Sequence, residues 1–219
     1  MSLMQMYVAL HYSYYILIGG LLLACIVSRK VGFRWTATPH SLLPQDLLYL
    51  LKRYSETVGD AVRKEGGIPI QFLGDGVTAV FGIAVGAKEA NRQALTAAAQ
   101  VDRRLRTLGD RLAQELGWAA NFVIHLHTGS AGVGETGDGV TRTLAAVGST
   151  IDAARQLAAQ HDDGQIARIV LSEAVMIAAG LDTRAANWRE IMLPDNARLK
   201  VTSIDGATAL LGAESIMAG

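Results

Sequence analysis

Three groups of side chains in this 219-residue chain have types and spacings that could do chemistry. Asp75 stands between two glycines in QFLGDGVTAVFG, residues 71–82, with a β-prone run on either side. Flanking glycines let a hairpin bend sharply and leave the carboxylate at its tip. The same stretch also suits a plain turn, because Asp tolerates left-handed geometry and bonds its own backbone. His125 and His127 alternate onto one face of a predicted strand, a spacing at which two imidazoles can share a metal. Gly132, Gly134, Gly137 and Gly139 could wrap a phosphate. They lie between two predicted strands, however, whereas a phosphate-binding loop joins a strand to a helix.

The elements that must position these groups follow from periodicity. Apolar residues recur at helical spacing through residues 47–62, after Pro44, and Gly66-Gly67 ends that pattern. Residues 68–72 and 77–81 are short β-prone runs joined by Leu73-Gly74-Asp75-Gly76, a hairpin signal. Residues 87–116, rich in Ala, Leu, Gln and Arg, predict a long helix, and residues 121–127 a strand. A second glycine-rich hairpin joins 131–134 to 141–147; helix returns at 149–160, strand at 166–171, helix at 172–179, and late strands at 190–193 and 198–204. Small residues at 97–99 are expected to pack closely on a sheet. Helices interspersed with hairpins predict an α+β sandwich.

Composition narrows the function classes. Twenty basic and twenty acidic residues cancel, which removes the overall attraction that non-specific nucleic-acid binding needs. The single cysteine, Cys25, excludes an intrachain disulfide or a cysteine-cluster metal site. Residues 7–27 form an apolar run with no formal charge beyond a neutral His11, against the roughly 20 residues that cross a bilayer as helix. Arg29, Lys30 and Arg34 follow it, which orients the remainder toward the cytoplasm. The expectation is a single-pass anchor in the cell membrane with its linker over residues 1–40, and a soluble domain over 41–219.

QFLGDGVTAVFG together with HTGSAGVGETGDGVTRTLAAVGSTIDAARQLAA, residues 127–159, resembles the class III adenylate and guanylate cyclase domain. LLPQDLLYLLKRYSETVGDAVRKEGG resembles the helix before that family's Gly-Asp hairpin, and VLSEAV and LKVTSI resemble its closing segments. The resemblance implies a ferredoxin-like palm that dimerises with its active site between subunits. It implies attack of the ribose 3′-hydroxyl of ATP or GTP on its own α-phosphate, assisted by two Mg²⁺ or Mn²⁺ ions on two aspartates.

Carried over residue by residue, Asp75 matches the second metal aspartate, flanked by Gly74 and Gly76. The first belongs on the family's opening strand, near Val31 by counting back from Pro44, yet no Asp or Glu occurs from Met1 to Gln45. The chain is therefore expected to lack that strand, its place in the sequence being taken by the apolar segment. The purine-reading position is Gln71, whose amide both donates and accepts, and its partner position is Ala145, which offers no hydrogen bond. The ribose-orienting Asn becomes Asp152. The transition-state Arg becomes Gln156, with Arg155 one residue early, a rotation of about 100° on a helix. His127 matches a family His that holds no metal.

Three readings follow. The chain is a membrane-anchored cyclase-type domain of weak or absent turnover; or a non-catalytic module that dimerises with itself or with an intact cyclase; or the product of a truncated or frameshifted gene. Missing Gly-Gly-Asp/Glu-Glu-Phe and Walker signatures disfavour a diguanylate cyclase and a P-loop nucleotidase.

Overall fold

The computed structural model describes residues 26–28, 31–32, 44–73, 76–116, 121–138, 142–159, 169–184, 186–193 and 196–204. In chain order the elements are β1 (Ile26–Ser28), β2 (Val31–Gly32), α1 (Pro44–Lys64), β3 (Ile68–Leu73), β4 (Gly76–Val80) and α2 (Ala87–Leu116). Then come β5 (Asn121–Phe122), β6 (Ile124–His127), β7 (Gly132–Gly137), β8 (Arg142–Val147) and α3 (Ser149–Ala159). The chain continues through β9 (Ile169–Ser172), α4 (Glu173–Ala179), β10 (Arg189–Met192) and β11 (Arg198–Ile204).

Seven strands form the main sheet in the order β10-β11-β9-β6-β1-β4-β3. All neighbours are antiparallel except β6 and β9, which run parallel. Strand alternation sorts the sheet into two faces. Val77, Ala79, Ile124, Leu126, Ile169 and Leu171 join a core with Tyr54, Val58 and Val62 of α1 and with Ala94, Ala98 and Val101 of α2. The alternate residues Val80 and Val170 turn to the other face, where Ile151, Ala154 and Leu157 of α3 cover them. Ala97, Ala98 and Ala99 are fully buried, as the small-residue run predicts; without long side chains α2 lies close against its neighbours.

The central place in the sheet belongs to β1, with Val27 facing Leu126 on one side and Ala79 on the other. The expected loss of the opening strand is corrected: a strand does occupy the centre of the sheet, built from the last two residues of the apolar segment and Ser28. This corrects the predicted span in one respect: Ile26 and Val27, its last two residues, are strand and not helix. Residues 7–25 lie outside the described residues. Among the described residues no helix is long and apolar enough to cross a membrane. Val31 belongs to β2 and pairs with Phe122, apart from the main sheet.

Candidate active site

The hairpin of β3 and β4 is built as its turn residues require. Leu73 pairs with Gly76, the last rung before the turn. Gly74 and Asp75 fall between those paired ends and lie outside the described residues. On the edge strand β3, Pro69 is tolerated because an edge position need not donate to a ladder. The register shifts between Pro69 and Gln71, so that Gln71 comes opposite Thr78. A bulge of this kind re-aims the side chain beside it, and Gln71 is half-buried.

The second wall is α3. Its first turn is set by Gly148, at φ 130°, whose carbonyl accepts from Ile151 and Asp152 backbone N–H groups at 2.9 and 3.2 Å. Buried Thr150 donates to the Ser130 carbonyl at 2.7 Å, tying the helix start to the chain before β7. Ile151 and Ala154 then pack with Ile70 of β3 and Ala146 of β8. That small core brings β3, β8 and α3 together and turns Asp152 and Arg155 outward, both exposed.

Arg155 thereby reaches Gln71. Its Nη2 donates to Gln71 Oε1 at 3.3 Å across 84 positions of sequence. Helix α3 starts at Ser149, and Arg155 makes this contact from one position before Gln156. Gln156, which holds the expected arginine position, is half-buried. Asp152 lies 3.7 Å from the Arg155 guanidinium, so the carboxylate that replaces an amide is countered from its own helix. Ala145 sits on β8 opposite Gly134 and contributes no polar group.

Behind this wall, His127 Nδ1 and Ser172 Oγ are 2.9 Å apart, and burial holds the imidazole pKa below its ordinary value. His125 is buried as well. Among the described residues no three His, Cys, Asp or Glu side chains converge on a metal position. Two-ion chemistry needs hard anionic ligands that reach both ions, and the resemblance implies that one of them is a carboxylate on the opening strand. The central strand reads Ile26-Val27-Ser28, and no acid precedes Asp46, so the residues present do not fit a two-ion site. The site as built offers donors: the Gln71 amide and the Arg155 guanidinium, side by side.

Sequence reasoning missed the Gln71–Arg155 contact. Its one signal was the Arg beside the expected position.

No protein-family model and no curated protein matches the chain. Solved structures do match. The guanylyl cyclase Cya2 superposes with a TM-score of 0.72 at 20% identity, covering 86% of this chain and 94% of that one. The adenylyl cyclase CyaB from P. aeruginosa gives 0.70 at 18%, covering 85% and 96%. The guanylate cyclase domain of RhGC from Catenaria anguillulae, in complex with GTP, gives 0.67 at 15%, covering 85% and 97%. The chain has the α+β fold of class III adenylyl and guanylyl cyclase catalytic domains.

Proposed function

We propose that the chain is a class III cyclase-type signalling domain that binds a purine nucleoside triphosphate as one half of a dimer, and that on its own it turns over nucleotide weakly or not at all. The observation that carries this reading is the central strand. It is drawn from Ile26–Ser28, and no carboxylate stands anywhere before Asp46, so Asp75 would meet Mg²⁺ or Mn²⁺ without its partner. What remains is the purine half: Gln71 and Arg155 joined at 3.3 Å, with Asp152 beside them.

In that role the chain's residues bind and orient. The Gln71 amide would meet the base edge, and the Arg155 guanidinium would neutralise phosphate charge. The dimer partner is a second copy or another cyclase domain, which the non-catalytic alternative would regulate. The apolar residues 7–25 and the basic Arg29, Lys30 and Arg34 support placing the domain at the cytoplasmic face of the cell membrane.

The test is turnover by the purified, membrane-reconstituted chain with ATP or GTP and Mg²⁺ or Mn²⁺, detecting cyclic nucleotide by mass, with Asp75→Ala as control. The expected result is product no greater than that of the control. Turnover that vanishes in Asp75→Ala would overturn the reading, because another group would then be replacing the missing aspartate.

A further inference from the structure

The end of the sheet at which β1 begins carries an apolar surface that the nucleotide site does not use. Strand β4 lies antiparallel between β1 and β3, with Val27, Ala79 and Pro69 in one row across the three. One step along, Ile26 comes level with Val80 and Ile68. Beyond Val80 the chain leaves the sheet and runs through residues 81–86 to the start of α2. A Cβ on Gly67 would lie 2.5 Å from the Phe81 ring, so the end of α1 closes on the start of this loop. The β3–β4 turn, after Leu73, lies at the other end of the same strands.

Ile83, Ala84, Val85 and Gly86 are exposed in succession. Ile83 is 41% exposed and Val85 37%, and Ile68, at the same sheet end, is 38% exposed. Single surface apolar residues are ordinary, whereas a run of them on one loop marks a surface that something covers. The loop itself carries no charge, and the unpaired charges that flank it are cationic. Lys64 and Lys88 are exposed, and neither forms an ion pair or side-chain hydrogen bond with any described residue. The neighbouring acids Glu65 and Glu89 are engaged by Gln100 and Arg92.

The chain that enters the sheet here indicates the cover. Residues 7–25 hold no formal charge and come close to the roughly 20 residues that cross a bilayer as helix. Ile26, the next residue, is already paired with His127 in the central strand. At about 3.3 Å per strand residue, no linker separates the end of such a span from the sheet. A bilayer crossed by residues 7–25 would therefore lie against this end of the domain. Apolar side chains rimmed by cations are complementary to a bilayer surface with anionic headgroups.

We propose that the loop of residues 83–86 seats in the headgroup region of the bilayer, with Ile83 and Val85 at the acyl boundary and Lys64 and Lys88 on anionic lipid. This rests on the membrane placement proposed above and adds an orientation to it. The β3–β4 turn then points away from the bilayer, where a second domain can reach it.

The experiment uses the full chain reconstituted in vesicles of phosphatidylcholine and phosphatidylserine. In a Cys25→Ser background a fluorophore is attached through Ala84→Cys or, as control, through Thr143→Cys, an exposed position on β8. Quenching by lipids brominated on their acyl chains is then measured. The fluorophore at position 84 should lose most of its emission, since interfacial apolar groups sit about 5–10 Å into the headgroup and acyl boundary. The one at position 143 should lose almost none. Ile83→Asp/Val85→Asp should restore the emission, and the milder Ile83→Ser/Val85→Ser reads the same change should the charges disturb folding. Lys64→Gln/Lys88→Gln should lower the quenching to that seen without phosphatidylserine and abolish its dependence on that lipid. Equal quenching at both positions, no quenching at position 84, or quenching indifferent to both loop variants would overturn the proposal. A fluorophore at position 84 that is shielded from aqueous iodide yet not quenched by brominated lipid would overturn it in favour of protein cover, by residues 7–25 or by a second copy. Alkaline extraction of the same vesicles separates the two readings: a chain that stays in the membrane without quenching refutes the docking alone, and a chain that is released refutes the membrane placement with it.

Discussion

Arg155 Nη2 donates to Gln71 Oε1 at 3.3 Å, joining the bulged edge strand β3 to the outward face of α3. The contact engages the amide oxygen of Gln71 and, among the described residues, leaves its NH₂ group unbonded. An unconstrained glutamine can turn either end toward a base; this one presents donors. Adenine offers an acceptor at N1, whereas guanine carries a hydrogen there. ATP should therefore bind more tightly than GTP, by up to ~10-fold, the worth of one hydrogen bond. Arg155→Ala should bring the two affinities together while leaving thermal stability unchanged, since the side chain is exposed. Calorimetric titration of both nucleotides against both proteins checks this, and a preference that survives the substitution would show that Arg155 does not orient the amide.

His127 predicts a pH dependence of stability. Burial lowers its pKa below the ordinary 6.5, so between the two values the unfolded chain binds more protons than the folded one. Stability contributed by this group is then complete above about pH 6.5 and falls as pH drops toward the lowered value. His127→Gln removes the titration. The melting temperature of the native chain should drop faster on acidification from about pH 8 to 5 than that of the variant. Parallel profiles would sink the prediction.

How far these features could be read from residues alone differs by element, for physical reasons. The long helix α2 occupies Ala87–Leu116, the bounds predicted, because a run of strong helix formers without breakers needs little help from tertiary contacts. The β3–β4 hairpin was equally visible, since glycines at a turn act locally. The central strand was not. A strand covered by helices on both faces carries no polar alternation, so Ile26-Val27 reads as the end of an apolar run that a bilayer would also accept. Gln71 and Arg155 were each singled out, but their meeting depends on a bulge in β3 and on the packing of Ile70, Ala146 and Ile151, none of which has a periodic signature.

Gly129 should resist substitution because of what it sits against. A Cβ built there would lie 2.5 Å from Thr150 Oγ1 and 3.2 Å from its Cγ2, and Thr150 is buried and bonded to the Ser130 carbonyl. Gly129→Ala must push on the first turn of α3, at a cost of about 1–3 kcal/mol, or roughly 2–4 °C of melting temperature per kcal/mol for a chain of this size. Adding Thr150→Ala removes the clash, so the double variant should be more stable than the sum of the single effects implies. Additive losses measured by thermal denaturation would mean that the two residues do not collide.

The proposed dimer makes a demand on the surface near the same site. Phe72 is 48% exposed and Val147 is 65% exposed, at the ends of two strands held together through Ile70 and Ala146. Isolated surface apolar residues are ordinary, but these two flank the side chains expected to need a second subunit. Buried against a partner, the exposed part of each would contribute about 1–2 kcal/mol. Phe72→Asp/Val147→Asp should therefore leave the fold intact, both side chains already being in solvent, while shifting the chain from dimer to monomer in sedimentation. Nucleotide affinity should fall with it, because a half-site closed by a second chain loses its enclosure when that chain departs. A variant that still sediments as a dimer would place the interface elsewhere on the molecule, and a variant that is monomeric yet binds ATP unchanged would show that Gln71 and Arg155 need no partner to hold the nucleotide.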